Sequence, residues 1–333
     1  MRIFKRLVWV CLTACISQPS LANTASNLTT TITQTITQTI NQNRDVLYQA
    51  QESTQPAVSI SFDGQFDTCR DEFYQQTAPT LVGTAGKKLS TLAQPLCFSG
   101  FATLHSGVAR TPLWSASRLS KQRIQQARQL SRVDNFHPEL RLPATERAEL
   151  VDYRRSGLDR GHVAPNGDMA DNESQYASFS LANIAPQNGE HNRNVWRHIE
   201  IATRTLAIQY GEIYVVTGVA FLGKTSERIG GRVLVPSHFF KAVYIPSLSA
   251  AGVYFSPNDA TGKYQIISLS ELASMTGINA MPTLPMHIQN TAYGLPAPMT
   301  EKQAEQVLEA NANSWLQLAH AAWRYLVELL NRA

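Results

Sequence analysis

Leu158-Asp-Arg-Gly-His-Val-Ala-Pro165 and, thirty residues on, Asn192-Arg193-Asn194-Val195-Trp196 are the two stretches on which the fold turns. The first places a histidine next to a glycine, where the chain has room to turn and backbone can approach a ligand closely. The second opens a helical pattern. At about 100° per residue, Val195, Ile199, Ala202 and Leu206 share an arc of roughly 60°. Asn192, Glu200 and Arg204 form a polar ribbon on one edge of that arc. An ordinary amphipathic helix also turns Glu and Arg outward, and an i,i+4 Glu–Arg pair is common. Periodicity alone therefore gives these residues no chemistry.

Around these stretches the apolar and β-branched runs fall at 96–105, 213–219, 233–246, 251–256 and 264–269, with helical signals at 118–130 and 190–210. The spacing lacks a βαβ alternation. The expectation is an α+β fold with a mainly antiparallel central sheet and packed helices, over residues 65–295. That length supports one large core.

The flanks differ in composition. Residues 1–22 read as a secretory signal peptide. Arg2, Lys5 and Arg6 are followed by ten apolar residues and by Ser20-Leu21-Ala22, a small-residue cleavage site. The expected location is secreted or periplasmic. Residues 23–64 form a polar Thr/Gln-rich arm with a Thr-Ile-Thr-Gln repeat. Residues 296–333 read as a C-terminal helical extension. It begins after Pro296 and Pro298, is capped by Thr300, and suits docking on the domain or a homodimer contact.

Charge argues little. The formal net charge is +4, and the leader carries three of the basic residues; without them 26 basic face 25 acidic side chains. Any basic groove must be local, from the arginines around the two stretches: Arg154, Arg155, Arg160, Arg193, Arg197 and Arg204. Export removes Cys11 and Cys15. It leaves Cys69 and Cys97 as an even pair in an oxidising compartment, where a disulfide is expected. Two sulfurs 28 residues apart, with no third or fourth, do not make a structural zinc site.

His162 suits a general base, because an unperturbed imidazole titrates near neutrality. Together the two stretches resemble the DNA/RNA non-specific endonucleases, the ββα-metal or His-Me finger group. Leu181-Ala-Asn-Ile-Ala-Pro-Gln187 resembles a third family motif, with Ala182 where the family has Ser or Thr. Looser echoes are Arg110-Thr-Pro-Leu-Trp114, Val216-Thr-Gly218 and Val235-Pro-Ser-His-Phe-Phe-Lys241.

The resemblance implies hydrolysis of DNA and RNA phosphodiesters with 5′-phosphate products, a ββα-metal motif, and a Mg²⁺ cofactor with Mn²⁺ as substitute. It assigns His162 as general base and Asn192 as metal ligand, with Asn183 the rival. Glu200 holds metal-bound waters, Arg204 binds phosphate, and Arg132, followed by Pro138, is a further substrate contact. Asp159 orients the loop or a metal-bound water, and Arg160 contacts phosphate or braces the fold. Two other readings stand beside this one. The first is a non-catalytic nucleic-acid-binding module. The second is a P-loop nucleotidase through Gly218-Val-Ala-Phe-Leu-Gly-Lys-Thr225, which requires a helix immediately afterwards.

Overall fold

A computed structural model describes residues 58–223, 227–313 and 323. The leader, most of the N-terminal arm and the end of the C-terminal extension lie outside the described residues. The homodimer contact expected of the C-terminal extension is not tested by the described residues.

Among the described residues, seven strands form one antiparallel sheet. In chain order they are β1 (Ala93–Phe98), β2 (Phe101–Ser106), β3 (Thr111–Ser120), β6 (Glu212–Ala220), β7 (His238–Ile245), β8 (Ala250–Pro257) and β9 (Gln265–Ile267). Across the sheet the order is β9-β8-β7-β6-β3-β2-β1. A separate two-stranded antiparallel sheet pairs β4 (Asp159–His162) with β5 (Ile184–Gln187). The expected α+β fold with an antiparallel sheet is what forms.

Alternation along the strands gives the sheet two buried faces. On β7, Phe240, Ala242 and Tyr244 point into a core with Phe66, Leu104, Trp114 and Phe255. Phe239 and Val243 point to the opposite face, where Trp196, Ile199 and Leu206 pack. A helical run therefore lies across that second face: a turn at Gly189–His191, a wide turn at Asn192–Trp196, then α2 (Arg197–Tyr210). Asn188 caps its start, its Oδ1 accepting from the Glu190 and His191 backbone N–H groups at 2.9 and 3.2 Å. The Val195, Ile199, Ala202, Leu206 stripe is buried as expected, but Ala202 faces Met299 and Ala304 of the C-terminal segment rather than the sheet.

Several boundaries differ from the sequence expectation. The run 96–105 is a hairpin, broken at Gly100, which has a positive φ of 82°. The helix expected over 118–130 is shorter: β3 continues to Ser120, whose Oγ then caps α1 (Lys121–Ala127). The fold also begins before residue 65, since Ser59–Ile60 pairs with Thr80–Val82.

The Cys69–Cys97 disulfide forms, with Cα atoms 5.6 Å apart, and ties the N-terminal segment to β1 at the sheet's margin. Beside it, Arg141 donates from Nη1 to the Cys97 carbonyl at 2.8 Å. No helix among the described residues is long and apolar enough to cross a membrane.

The P-loop reading does not survive the fold. Gly218, Val219 and Ala220 lie inside central strand β6, and a Cβ on Gly218 would meet the Phe240 ring at 2.3 Å and the Leu113 carbonyl at 2.4 Å. The next described element is a short strand, Arg228–Ile229, not a helix. Lys224 and Thr225 lie outside the described residues.

Candidate active site

Strand β4, the loop that follows it and the helical run line a cleft of about 570 Å³. Its walls include Arg132, Asp159, Arg160, His162, Asn192, Glu200 and Arg204. The fold thus brings together every expected site residue but one.

That exception is Asn183. It is fully buried, and its carboxamide is spent on the fold. Oδ1 accepts from Ser115 Oγ at 2.9 Å and from the Ala164 N–H at 2.8 Å, while Nδ2 donates to the Ala164 and Ser178 carbonyls, both at 2.9 Å. No oxygen is left for a cation. Asn183 instead pins the strand that carries His162, since its own carbonyl also accepts from the Val163 N–H at 3.0 Å. Ala182 lies away from the cleft, packed with Leu96 and Leu142, so the absent hydroxyl removes nothing from the site.

Gly161 is required for a reason other than turning. It sits within β4, and a Cβ there would meet Gln187 Oε1 at 2.1 Å and Gln187 Cβ at 2.7 Å. Gln187 is itself fully buried, bonded through Nε2 to His191 Nδ1 at 2.8 Å. His191 continues to Ser256 Oγ at 2.9 Å. The Pro-Gln motif is therefore the floor beneath the histidine strand.

His162 stands between Phe136 and Phe179, with ring centroids 5.4 and 5.0 Å away. Arg160 lies over Phe136 at 4.1 Å and Arg132 over Phe179 at 5.3 Å. Burial pushes the imidazole down to about 3, and the Arg132 and Arg160 charges push the same way while Asp134 opposes them. The ring is therefore neutral near pH 7. Its Nε2 is sealed from solvent and has no protein hydrogen-bond partner.

Asp159 accepts from Asn192 Nδ2 at 3.0 Å and from Arg193 Nη1 at 2.7 and 2.9 Å. A carboxylate can only accept, so this contact settles the amide orientation and leaves Asn192 Oδ1 as the free acceptor. Asn192 Oδ1, with the Asp159 and Glu200 carboxylates in the same cleft, is a hard-oxygen set with few protein ligands. That fits a hydrated divalent cation such as Mg²⁺. No cluster of three or more His, Cys, Asp or Glu side chains suited to a metal occurs among the described residues.

Burial raises Glu200 to about 7, opposed by Lys241 and Arg204. Lys241, on β7, is 1% exposed; its Nζ donates to Thr217 Oγ1 at 2.6 Å and lies 5.5 Å from the Trp196 ring centroid. Arg204 donates from Nη1 to Asp168 Oδ1 at 3.1 Å, with side-chain exposures of 12% and 5%. Burial works against the charged guanidinium, and the Asp168 and Glu200 charges outweigh it, so its pKa is raised.

Sequence reasoning missed Asp168, Lys241, Phe136 and Phe179. Asp168 carries a signal in hindsight, since it closes the loop after the histidine motif. The aromatic pair carries none.

Comparison with known proteins bears on the family of the chain. The sequence model described as "DNA/RNA non-specific endonuclease" matches residues 80–286. The mitochondrial Nuclease 1 of Schizosaccharomyces pombe is 34% identical over 157 residues, covering 43% of this chain and 49% of that one. Human mitochondrial nuclease EXOG is 30% identical over 211 residues, covering 56% and 57%. The chain thus spans about half the length of these curated relatives. A solved EndoG/EndoGI complex contains a chain that aligns with a TM-score of 0.52 at 25% identity, over 56% of this chain and 85% of that one. With the match covering well over half its length, the chain belongs to the DNA/RNA non-specific endonuclease family.

Proposed function

We propose that the protein is a Mg²⁺-dependent endonuclease that hydrolyses DNA and RNA with little sequence preference and leaves 5′-phosphates. The observation that carries this is the His162 imidazole. It stands between two aromatic rings that Arg132 and Arg160 cover, and it shares one cleft with Asn192 and Arg204.

In this reading His162 takes the proton from water for in-line attack on phosphorus, and the anionic phosphate beside it raises the imidazole's basicity above that of the free protein. Asn192, turned by Asp159, would hold the cation. A bound divalent cation supplies charge neutralisation at the phosphate and at the departing oxygen. Arg204, braced by Asp168, offsets phosphoryl charge, and Arg132 adds a second cation at the rim. Glu200, in the same cleft, would hold water around the cation. Backbone contacts of this kind position a strand without reading its bases, so low specificity and steep salt dependence follow.

The test uses supercoiled plasmid and RNA, with Mg²⁺, Mn²⁺ or EDTA, beside His162→Ala. Cleavage is expected with the metals, not with EDTA, and should fall about 10²–10⁴-fold in the variant. Fragments should be ligatable without added kinase. Undiminished cleavage by His162→Ala overturns the mechanism, and DNA that is retarded but intact supports a binding module instead. Export through the leader at residues 1–22 is part of the reading. N-terminal sequencing of the mature protein should begin near Asn23, and a mature chain that retains the leader overturns it.

A further inference from the structure

The C-terminal extension contributes to the cleft. It lies beyond the region matched by the family sequence model, yet Glu301 is among the lining residues. Its placement is fixed locally. The Met299 N–H donates to the His198 carbonyl at 3.2 Å, and Met299 and Ala304 pack on Ile201 and Ala202 of α2. Thr300 and Gln303 form a reciprocal cap at the start of the helix at 301–313, with Thr300 N to Gln303 Oε1 at 2.8 Å and Gln303 N to Thr300 Oγ1 at 3.4 Å. Glu301 is therefore delivered to one place, the mouth of the cleft.

There its carboxylate bridges two guanidinium groups. Oε1 is 3.9 Å from Arg204 Nη2, and Oε2 is 4.0 Å from Arg128 Nη2. Arg204 thus has a carboxylate on each side, and the two differ. Asp168 is nearly buried and hydrogen-bonded to it at 3.1 Å, so it is a fixed brace. Glu301 is 52% exposed, beyond hydrogen-bonding distance, and held only by long, solvated ion pairs. A loosely held anion between two arginines marks a place where a phosphodiester oxygen pair can sit instead, because Arg recognises both groups in the same way.

We propose that Arg128 extends the phosphate-binding face of Arg204 into a subsite for substrate backbone phosphate, and that Glu301 occupies this subsite in the free protein. Glu301 is then a specificity-determining residue. A polyanion must displace its carboxylate, and short or weakly charged ligands do so least well. The inference rests on the nuclease reading above.

The test is the equilibrium binding of a fluorescent single-stranded 20-mer to the full-length protein in EDTA, over a range of salt. Glu301→Gln is expected to bind about three- to tenfold more tightly at low salt. Its log Kd against log salt should steepen by roughly 0.7, the increment for one more phosphate contact on a single strand. Glu309→Gln makes the same charge change two turns along the helix and should match wild type. Arg128→Ala should erase most of the gain when combined with Glu301→Gln. Equal affinities and slopes for Glu301→Gln and Glu309→Gln overturn the subsite while DNA binding, and the nuclease reading, stand. Failure of the nuclease reading shows separately, as His162→Ala cleaving like wild type. Absence of DNA binding by every variant overturns the subsite.

Discussion

The Asp159 carboxylate accepts the Asn192 carboxamide N–H at 3.0 Å, and this one contact decides which end of the amide remains available in the cleft. Asp159 also holds Arg193, so the tetrapeptide strand and the helix start are joined by an acidic clasp. Removing it frees the amide to rotate. Partners behind a metal ligand typically contribute about 10–100-fold in metal affinity or activity. Asp159→Ala should therefore raise the Mg²⁺ concentration for half-maximal cleavage by about that factor, measured by titrating Mg²⁺ against plasmid nicking. An unchanged midpoint would falsify the clasp.

Gly161→Ala tests the floor under the histidine. The added methyl has no room against Gln187, which is buried and bonded to His191. Overpacking at such a site costs about 1–3 kcal/mol, which in a domain of this size is roughly 2–4 °C in Tm per kcal/mol. Thermal melts should show the loss, and nicking rates should fall further than the melt alone explains, because the displaced strand carries His162.

Asp168→Ala leaves Arg204 without its fixed partner. Breaking a buried pair from one side costs about 3–5 kcal/mol, and the remaining carboxylates, Glu200 and Glu301, should soften this toward the low end. Denaturant midpoints would report it. A variant as stable as wild type, with full activity, would show that Asp168 does not brace the arginine.

Acid should weaken the fold through its buried histidines. Burial lowers His105 to about 4, His162 to about 3 and His191 to about 4, all below the ordinary value of 6.5. The unfolded chain then binds more protons below pH 6.5, so stability rises with pH up to that value and falls as pH drops from about 6.5 toward 4 or 3. Glu200, raised to about 7, works the other way between 4.5 and 7, since the folded state binds the extra proton there. His105 is fully buried, with Nε2 against the Glu146 carbonyl at 3.0 Å, and stands apart from the cleft. Its contribution at pH 5 is on the order of 2 kcal/mol. His105→Gln should flatten the stability difference between pH 7 and pH 5 by about that amount in urea titrations.

The parts legible in the sequence were those with a period or a register. The stripe from Val195 to Leu206 marked a buried helix face, and the ribbon beside it holds Asn192, Glu200 and Arg204 where expected. Strand β3 was not legible. It is central and buried on both faces, yet carries Thr111, Ser115 and Ser117, which read as surface. Ser115 is satisfied only through partners distant in sequence: Thr103 Oγ1 at 2.7 Å and Asn183 Oδ1 at 2.9 Å. The histidine motif read as a glycine turn because single-sequence patterns cannot reveal that Gln187 will lie beneath Gly161. Nor could Asn183 be told from Asn192. Both are asparagines in family motifs, and only burial separates the one that holds a strand from the one that faces the cleft.

The margin of the large sheet carries a further consequence. Among the described residues strand β1 has no sheet partner on its outer side, and an open edge of that kind invites a second chain to add to it. Here Pro95 withholds an N–H, Arg141 already occupies the Cys97 carbonyl, and the disulfide at Cys97 lashes the segment around Cys69 to the same strand. The bond between these cysteines therefore joins the edge strand to the segment that precedes the sheet. Reduction would release the Cys69 segment from this edge, while Pro95 and the Arg141 contact stay in place.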